Sequence, residues 1–352
     1  MFCLWPQNPH LSDTALPPLQ PRGHMLSRRS FSAAVAGFVL CPALVRAQSV
    51  SVQDLRTTAL GLSQLHAIMV QRGDDRVLAE APRGRGLAAA ANIKSCSKSL
   101  LALILGTTIA RGEIAGLTAR LGDVAPRLIP ADATEGVADL TMGDLVTMRA
   151  GLEGTSGGNY GAWVNARNWV AYALRQPRIA PNGGRMIYST GTTHVLGAAI
   201  AEATGKDLRQ LARERLGQPL NVDVPSWTRD PQGYYFGGNE MALSPEAMLR
   251  VALMMRDGGS FDGTQVISAD WVEASQTAAT RSPYSGLNYG LGWFLSPTGW
   301  IIARGYGGQI IAAHPQRALA VAITSDPNQI ARSGGYFGDL MRLLDGPVLA
   351  LA

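Results

Sequence analysis

The sequence predicts an α/β (α+β) fold, in which a largely antiparallel sheet is flanked by helices and an all-helical lobe is inserted in the middle. Two observations predict it. RVLAEA over residues 76–81 has the pattern of a strand, and four more strand-like segments follow one another at hairpin-like spacing over residues 289–325. Between them, residues 113–225 carry several helical patterns separated by glycine-rich loops. The sheet is therefore expected to combine distant parts of the chain.

The length and composition fit one such domain after an N-terminal extension. The chain has 352 residues, of which 46% are hydrophobic and 16% charged, so it is long enough and apolar enough for a sizeable core. We assign residues 50–345 to this domain, with the sheet part drawn from about 50–94 and 240–345 and the helical lobe from about 95–239.

Residues 25–47 have the layout of an export signal. The paired Arg28 and Arg29 precede Phe31, a short apolar stretch follows, and Val45-Arg46-Ala47 ends it like a cleavage site. The pattern resembles a twin-arginine signal, which predicts export of the folded protein, to the periplasm. The apolar stretch is too short to span a bilayer, so no membrane span is expected. Residues 1–24 are rich in proline and lack periodicity, and we interpret them as a leader that is dispensable or untranslated.

Without residues 1–47 the chain is nearly neutral and almost free of cysteine. Residues 1–47 contain four arginines and Asp13. The rest of the chain therefore has 27 basic and 25 acidic residues, a net charge of +2. This charge gives no reason to expect a nucleic-acid partner. Cys96 alone remains of the three cysteines, which excludes an internal disulfide and a thiolate cluster for zinc. We expect no metal and no cofactor.

The elements are predicted in the following order. A helical pattern over residues 60–71, with strand character at its end, precedes the first strand. Residues 95–110 are apolar nearly all round, which predicts a helix buried on every side. Thr141 and Asp144 form a capping box at the start of a lobe helix. Further helices are predicted over residues 163–176, 192–205, 207–217, 244–259 and 339–346.

The buried helix begins with a serine and a lysine that share one face. Ser95 and Lys98 are three residues apart, about 4.5 Å along a helix axis. A serine hydroxyl is a poor nucleophile until a base removes its proton, and a lysine is a base only when it is uncharged. Burial and the positive end of a helix both favour the uncharged amine. The alternative is an ordinary N-cap serine beside a lysine that reaches the surface, and the pair alone leaves both interpretations open.

Two further motifs decide between them, because with these motifs the chain resembles the penicillin-recognising serine hydrolases. That group includes class C β-lactamases, D-alanyl carboxypeptidases, esterases and aminohexanoate-oligomer hydrolases. Its S-x-x-K element is followed by a Y-x-N-like element and then by K-T-G or H-x-G on a strand. This sequence has Ser95 to Lys98, then Tyr188-Ser189-Thr190, then Tyr306-Gly307-Gly308-Gln309, in matching order and spacing over about residues 60–345.

The resemblance implies a β-lactamase/transpeptidase-like fold and a role for each motif. Ser95 would be the nucleophile, while Lys98 and Tyr188 would act as general base and acid. The backbone amides of Ser95 and Gln309 would form an oxyanion hole. The glycines at 307 and 308 would let the strand approach the acyl group, although a β-bulge or a tight hairpin would also explain them.

Two departures from the family pattern bear on the substrate. Thr190 stands where many relatives have asparagine, and Tyr306 stands where β-lactamases and peptidases have a lysine or histidine. A cation there helps to hold a substrate carboxylate, whereas tyrosine offers a neutral hydroxyl. Arg304 could supply a nearby charge, but its direction on an alternating strand is not fixed by the sequence. Tyr160 and Trp163 are expected to wall the acyl pocket, with core packing as the alternative.

The resulting hypothesis is a serine hydrolase that cleaves a small-molecule ester or small amide through an acyl-enzyme. A β-lactamase or D-alanyl-D-alanine carboxypeptidase is one alternative, and a non-catalytic protein that binds cell-wall fragments is another. Residues 154–158 also fit the G-x-S-x-G nucleophile motif, with Ser156 as nucleophile and His194 or His314 as base, but a helix precedes this serine where that motif requires a strand. Cys96 is rotated about 100° away from the face of Ser95 and Lys98.

Overall fold

An eight-stranded antiparallel sheet frames the protein in the computed structural model, which describes residues 51–351. The predicted leader over residues 1–24 and the export signal over residues 25–47 lie outside the described residues, and export stays a prediction. The strands are β1 Leu65–Arg72, β2 Asp75–Glu80, β3 Ala91–Asn92, β4 Ala242–Leu243, β5 Ser260–Phe261, β6 Thr264–Gln265, β7 Thr280–Arg281, β8 Asn288–Tyr289, β9 Phe294–Leu295, β10 Ile301–Gly305, β11 Gln309–His314 and β12 Leu319–Ser325.

The sheet joins the two ends of the described chain. Its strand order is β2-β1-β12-β11-β10-β9-β8-β7, and β1 pairs antiparallel with β12 so that Ile68 lies opposite Ile323. The two-stranded pairs β3–β4 and β5–β6 lie outside it. An antiparallel sheet assembled from distant segments, with a helical region between them, confirms the predicted fold class.

Helices cover both faces of the sheet and make up the middle of the chain. None of those within residues 51–351 has the length and apolar character needed to cross a membrane. They are α1 Val52–Leu60, α2 Ser97–Ala110, α3 Leu121–Val124, α4 Met142–Val146, α5 Tyr160–Val164, α6 Trp169–Leu174, α7 Thr190–Thr204, α8 Leu208–Ala212, α9 Gln218–Leu220, α10 Pro245–Arg256, α11 Ala269–Gln276 and α12 Tyr336–Leu343.

The helix predicted over residues 60–71 is wrong, whereas the strand character predicted at the end of this segment is confirmed. The chain is helical in α1 and then forms strand β1, which starts at Leu65. Residues 67–70 are all buried, because this strand is covered on both faces. A short run that is apolar on both sides lacks the alternation of a half-exposed strand and resembles a buried helix.

The two faces of strand β12 carry side chains of different size. In β12, Leu319, Val321 and Ile323 point into the cluster that includes α1 and α12. Ala320 and Ala322 point to the other side, where α2 and α10 pack. Successive side chains of a strand alternate between faces, so small residues on one side let α10 approach closely.

Helix α2 lies between the sheet and the helical lobe. It contacts β10 on one side and α7 and α8 on the other. Eleven of its 14 residues are buried, including Lys98. A helix enclosed in this way keeps water from its side chains, and this confirms the prediction of a helix buried on all sides.

A buried hydrogen bond between His194 and Asp230 shapes the loop that returns from the lobe to the sheet. His194 Nδ1 accepts a hydrogen bond from the Gly237 amide at 3.2 Å, so the ring proton lies on Nε2, which is 2.9 Å from Asp230 Oδ2. Asp230 Oδ1 accepts from the amides of Gln232 and Tyr234. Both side chains are fully buried. The pair therefore fixes the chain that leads to Gly238.

We expect Asp230→Ala to lower the free energy of unfolding by about 3–5 kcal/mol, because the substitution leaves His194 and two amides without their partner inside the protein. Urea unfolding followed by tryptophan fluorescence measures this loss. The matched control is Asp139→Ala, which removes an ion pair with Arg120 in which both side chains are more than half exposed, and which should cost less than about 1 kcal/mol. Equal losses in the two variants would contradict a structural role for the His194–Asp230 pair.

Candidate active site

Ser95 lies in a single 3₁₀ turn, Lys94–Cys96, that leads directly into α2. The sequence predicted one continuous helix from residue 95, whereas the regular α-helix begins at Ser97. The Ser97 hydroxyl donates to the Lys94 carbonyl at 2.6 Å and accepts from the Met241 amide at 3.1 Å. These bonds fasten the turn to the segment after Gly238, so the position of Ser95 is defined from both sides.

Lys98 Nζ is 3.2 Å from Ser95 Oγ, 3.2 Å from Thr190 Oγ1 and 2.8 Å from the Gly238 carbonyl oxygen. Burial lowers the pKa of Lys98 from 10.5 to about 7, because the ammonium form loses its hydration. No carboxylate among the described residues forms an ion pair with it. A substantial fraction of the amine is therefore uncharged near neutral pH and in contact with the serine hydroxyl.

Tyr188 lies beside this pair, with its ring against the lysine. Lys98 Nζ is 5.1 Å from the centroid of the Tyr188 ring. Burial raises the pKa of the Tyr188 phenol, and the neighbouring Ser95 hydroxyl and Arg304 charge partly offset this rise. The Lys98 amine bonds Ser95, Thr190 and Gly238, and the phenol interacts with the Ser95 hydroxyl instead of with the amine. Tyr188 is thus a protonated phenol next to Ser95.

Lys94 and Glu240 form a clamp that the sequence analysis missed. Lys94 Nζ is 3.1 Å from Glu240 Oε1, and Asn92 Nδ2 donates to Glu240 Oε2 at 2.6 Å. Both clamp residues have a left-handed backbone, with φ of 50° and 66°. Such a conformation costs on the order of 1 kcal/mol at a non-glycine residue, so contacts such as this ion pair must hold it. The clamp joins the residue before Ser95 to the segment that carries Gly238.

The start of β11 packs on the 3₁₀ turn that contains Ser95. The Cys96 thiol donates to the Gln309 carbonyl at 3.4 Å, and this places the backbone of Gln309 beside the Ser95 turn. The Gln309 side chain points away and bonds the backbone of Ser325 at 2.8 and 3.1 Å. Burial raises the pKa of the Cys96 thiol, so this side chain is a structural contact and no nucleophile.

A cleft of about 410 Å³ opens over Ser95. Its lining includes several serine and tyrosine hydroxyls, and also the aromatic rings of Phe294 and Phe337. A larger cavity of about 580 Å³ lies at the far end of α2, around Arg111 and Arg215, and contains no serine–lysine pair. The cleft over Ser95 is therefore the candidate active site.

Arg304 is a cation inside this cleft. Its guanidinium carbon lies 3.3 Å from the centroid of the Phe337 ring, and Nη2 donates to Ser333 Oγ at 3.3 Å. Burial lowers the pKa of Arg304 from 12.5 to about 10, so it stays charged at neutral pH. No carboxylate in the described part of the chain pairs with it. The sequence left the direction of Arg304 open, and the structure turns it into the cleft.

The turn between β10 and β11 contains Tyr306, Gly307 and Gly308. Tyr306 is about half exposed at the rim of the cleft. Both glycines have positive φ, and a Cβ on Gly307 would lie 2.3 Å from the Asp326 carbonyl oxygen. A Cβ on Gly308 would lie 2.5 Å from the Tyr336 ring. The tight hairpin, which the sequence analysis held as the alternative, accounts for these glycines without a substrate.

Thr190 is buried at the start of α7 and connects Lys98 to Ser156. The hydroxyls of Thr190 and Ser156 are 2.9 Å apart, and the Thr190 amide donates to Ser156 Oγ at 3.0 Å. Ser156 lines the cleft, as the G-x-S-x-G alternative requires. However, His194 is fully buried with Asp230, and His314 bonds the Thr298 carbonyl at 2.8 Å. Neither histidine contacts Ser156, so this alternative lacks its base.

The structure does not bring Tyr160 and Trp163 into the cleft lining. The expectation for Trp163 is wrong, because it is fully buried and packs against Trp169 and Phe236. Its indole N–H donates to the Trp169 carbonyl at 2.9 Å, so the polar group of this ring has a hydrogen-bond partner inside the core. Tyr160 packs on Trp163, and its hydroxyl accepts from Asn239 at 3.3 Å.

Among curated proteins, none matches the sequence significantly. EstCE1, a hydrolase with promiscuous acyltransferase activity, has a TM-score of 0.69 at 17% identity, covering 84% of this chain and 97% of its own. A Bacillus anthracis protein assigned as a 6-aminohexanoate-dimer hydrolase has a TM-score of 0.67 at 16% identity, covering 80% of each chain. A family VIII carboxylesterase has a TM-score of 0.63 at 17% identity, covering 83% of this chain and 96% of its own.

These structures share the fold at low sequence identity, so the fold is all that they establish. The sequence itself adds a separate result. The family profile described as Beta-lactamase matches residues 66–336, which contain all three motifs identified in the sequence. The chain therefore belongs to the β-lactamase family of serine hydrolases.

Proposed function

We propose that the protein hydrolyses an ester or a small amide through an acyl-enzyme on Ser95. One observation carries the proposal: the amine of Lys98, whose pKa burial lowers to about 7, lies 3.2 Å from the Ser95 hydroxyl. A serine hydroxyl in contact with an uncharged amine is the arrangement that activates this nucleophile.

The proposed reaction follows from the contacts. Lys98 takes the Ser95 proton while Ser95 Oγ attacks the acyl carbon. The backbone amides of Ser95 and Gln309 are the proposed donors to the oxyanion, since the Cys96–Gln309 contact holds their segments together. The leaving group departs with the proton that Lys98 took from Ser95, and Tyr188 is one hydroxyl that can pass this proton on, so that Lys98 is uncharged again. Water then attacks the acyl carbon while Lys98 takes its proton. Lys98 returns this proton to Ser95 Oγ as the bond between Oγ and the acyl carbon breaks, which releases the acid product.

Two features support esters or small amides as substrates. Tyr306 stands at the rim of the cleft where a cation of the third motif would hold a substrate carboxylate. In addition, the structures that share this fold include EstCE1, a carboxylesterase and an assigned 6-aminohexanoate-dimer hydrolase.

Arg304 favours a second candidate, a β-lactamase or D-alanyl-D-alanine carboxypeptidase. It is a cation in the cleft, without an ion-pair partner among residues 51–351, and from a position two residues before Tyr306 it would supply the charge that Tyr306 lacks. A guanidinium recognises a carboxylate through paired hydrogen bonds. The protein that only binds cell-wall fragments is separated from both enzymes by whether Ser95 becomes acylated.

We expect a fluorophosphonate or an activated ester to add its mass to Ser95 in the wild-type protein, because Lys98 activates this hydroxyl. Intact-protein and peptide mass spectrometry measures the adduct. Ser95→Ala should carry none, whereas Ser156→Ala should still be labelled. A folded wild-type sample without an adduct would favour the binding protein, and loss of labelling in Ser156→Ala alone would favour the G-x-S-x-G motif.

We expect kcat/KM for a neutral ester to rise with pH through about 7 and then level off, because Lys98 must be uncharged to accept the proton. Below this pKa, each pH unit lowers the uncharged fraction about tenfold. The measurement is a kcat/KM profile from pH 5 to 9. Lys98→Arg, which keeps its charge throughout, should remove the rising limb together with most of the activity. A flat wild-type profile over this range would exclude Lys98 as the base.

We expect chromogenic acetate and butyrate esters to turn over faster than a chromogenic cephalosporin, because the third motif lacks its cation. Steady-state kcat/KM on the purified protein gives the ranking. Arg304→Gln should weaken turnover of the carboxylate-bearing cephalosporin more than that of the neutral esters. A cephalosporin that is hydrolysed faster than the esters, with a selective loss in Arg304→Gln, would establish the second candidate.

A further inference from the structure

A chain of hydroxyls leads from Lys98 to the cleft by a route that does not include Tyr188. Lys98 Nζ is 3.2 Å from Thr190 Oγ1, which is 2.9 Å from Ser156 Oγ. Thr190 is buried, whereas Ser156 lines the cleft. The chain therefore joins the proposed base to the substrate space in two hydrogen bonds.

The loop that carries Ser156 is fastened to the start of α7. The Thr155 amide donates to Ser189 Oγ at 3.2 Å, and the Gly191 amide donates to Thr155 Oγ1 at 2.7 Å. Gly154 packs so closely on Tyr188 that a Cβ would lie 2.9 Å from its carbonyl oxygen. Ser156 is thus held in place by its neighbours, which a proton path requires.

The hydrogen bonds of Lys98 leave a defined place for each proton. The Gly238 carbonyl can only accept, so it takes one N–H of the uncharged amine. A second N–H points to Thr190 Oγ1, and the lone pair is left for the Ser95 hydroxyl. Either hydroxyl of the Thr190–Ser156 pair can donate to the other, and while Thr190 Oγ1 accepts from Lys98 its own proton is free to point to Ser156 Oγ. Ser156 also accepts from the Thr190 amide, so its proton is directed to the cleft.

Tyr188 offers no equally direct path. Lys98 Nζ lies over its ring, and no hydrogen bond joins the amine to the phenol. Lys98 can therefore pass a proton along a hydrogen bond to Thr190 Oγ1 or back to Ser95 Oγ, since its third contact is a backbone carbonyl. Thr190 occupies the position where the family pattern has asparagine, whose amide does not readily exchange a proton in this way.

We propose that Thr190 and Ser156 relay a proton from Lys98 to the leaving group during acylation. This inference rests on the proposed function. As the bond between the acyl carbon and the leaving atom breaks, Lys98 gives a proton to Thr190 Oγ1, Thr190 gives its own to Ser156 Oγ, and Ser156 gives its own to the leaving oxygen or nitrogen. The Ser95 proton is thereby replaced on the leaving group, and Lys98 becomes uncharged again. Ser156 is the catalytic residue of the relay and Thr190 its positioning residue.

A purely structural role for Ser156 makes a different prediction. Ser156 Oγ satisfies the first amide of α7, so its loss could simply loosen that helix. Such a loss would slow all substrates of one acyl group by the same factor. A lost proton donor instead slows substrates in proportion to how much their leaving group needs the proton.

The test is a series of esters with one acyl group and leaving groups from 4-nitrophenol to simple alcohols. We expect Ser156→Ala and Thr190→Val to lower kcat/KM about 10- to 100-fold for the alkyl esters, and less than about threefold for the 4-nitrophenyl ester. The dependence of log kcat/KM on leaving-group pKa should steepen in both variants. Thr190→Ser keeps a hydroxyl in the path and should restore the shallow wild-type slope.

Ser285→Ala is the matched control, because it removes a hydroxyl of the cleft lining that has no hydrogen bond to Lys98 or Thr190. Any loss it causes should be equal for every leaving group. Parallel slopes in wild type, Ser156→Ala and Thr190→Val would overturn the relay. Fluorophosphonate labelling of Ser95 in each variant separates the two hypotheses: labelled protein with parallel slopes refutes the relay alone, whereas unlabelled wild type refutes the proposed function.

Discussion

The site depends on the burial of the Lys98 amine, which loses its hydration inside the protein. Lys98 lies on the first turn of α2, and α2 is enclosed by β10 on one side and by α7 and α8 on the other. The same packing that forms the core thus lowers the pKa of the amine. A charged lysine would be costly at this place, and three hydrogen-bonding groups around Nζ replace part of the hydration that it has lost.

The site is assembled from segments that are far apart in sequence, and polar contacts fix the positions of these segments relative to one another. The Lys94–Glu240 clamp links the turn before α2 to the segment after the lobe. The His194–Asp230 pair fixes the same segment from the lobe side, through the Gly237 amide. Between these two anchors lies Gly238, whose carbonyl accepts from Lys98. Two of the three lysines of the chain therefore serve the same turn, one as the proposed base and one as its structural support.

The sequence was most informative where a local pattern reports directly on structure. The apolar run after Ser95 predicted a buried helix, and strand-like segments at hairpin-like spacing predicted β10 to β12. The prediction failed for β1, because a strand buried on both faces has no alternation. It also failed for Trp163, since the sequence does not state whether an aromatic residue in a loop faces a cleft or the core. The contacts of Ser156 with Thr190 and of Lys94 with Glu240 join residues 34 and 146 positions apart, and no local pattern encodes such pairs.

The thiol of Cys96 offers a natural reporter of motion at the nucleophile. Cys96 is the one cysteine of the described chain, it is fully buried, and its contact with the Gln309 carbonyl closes the turn against β11. A thiol reagent reaches it only after the turn separates from the strand. The rate of its modification therefore measures how often the turn of the proposed nucleophile Ser95 separates from Gln309, without any engineered label.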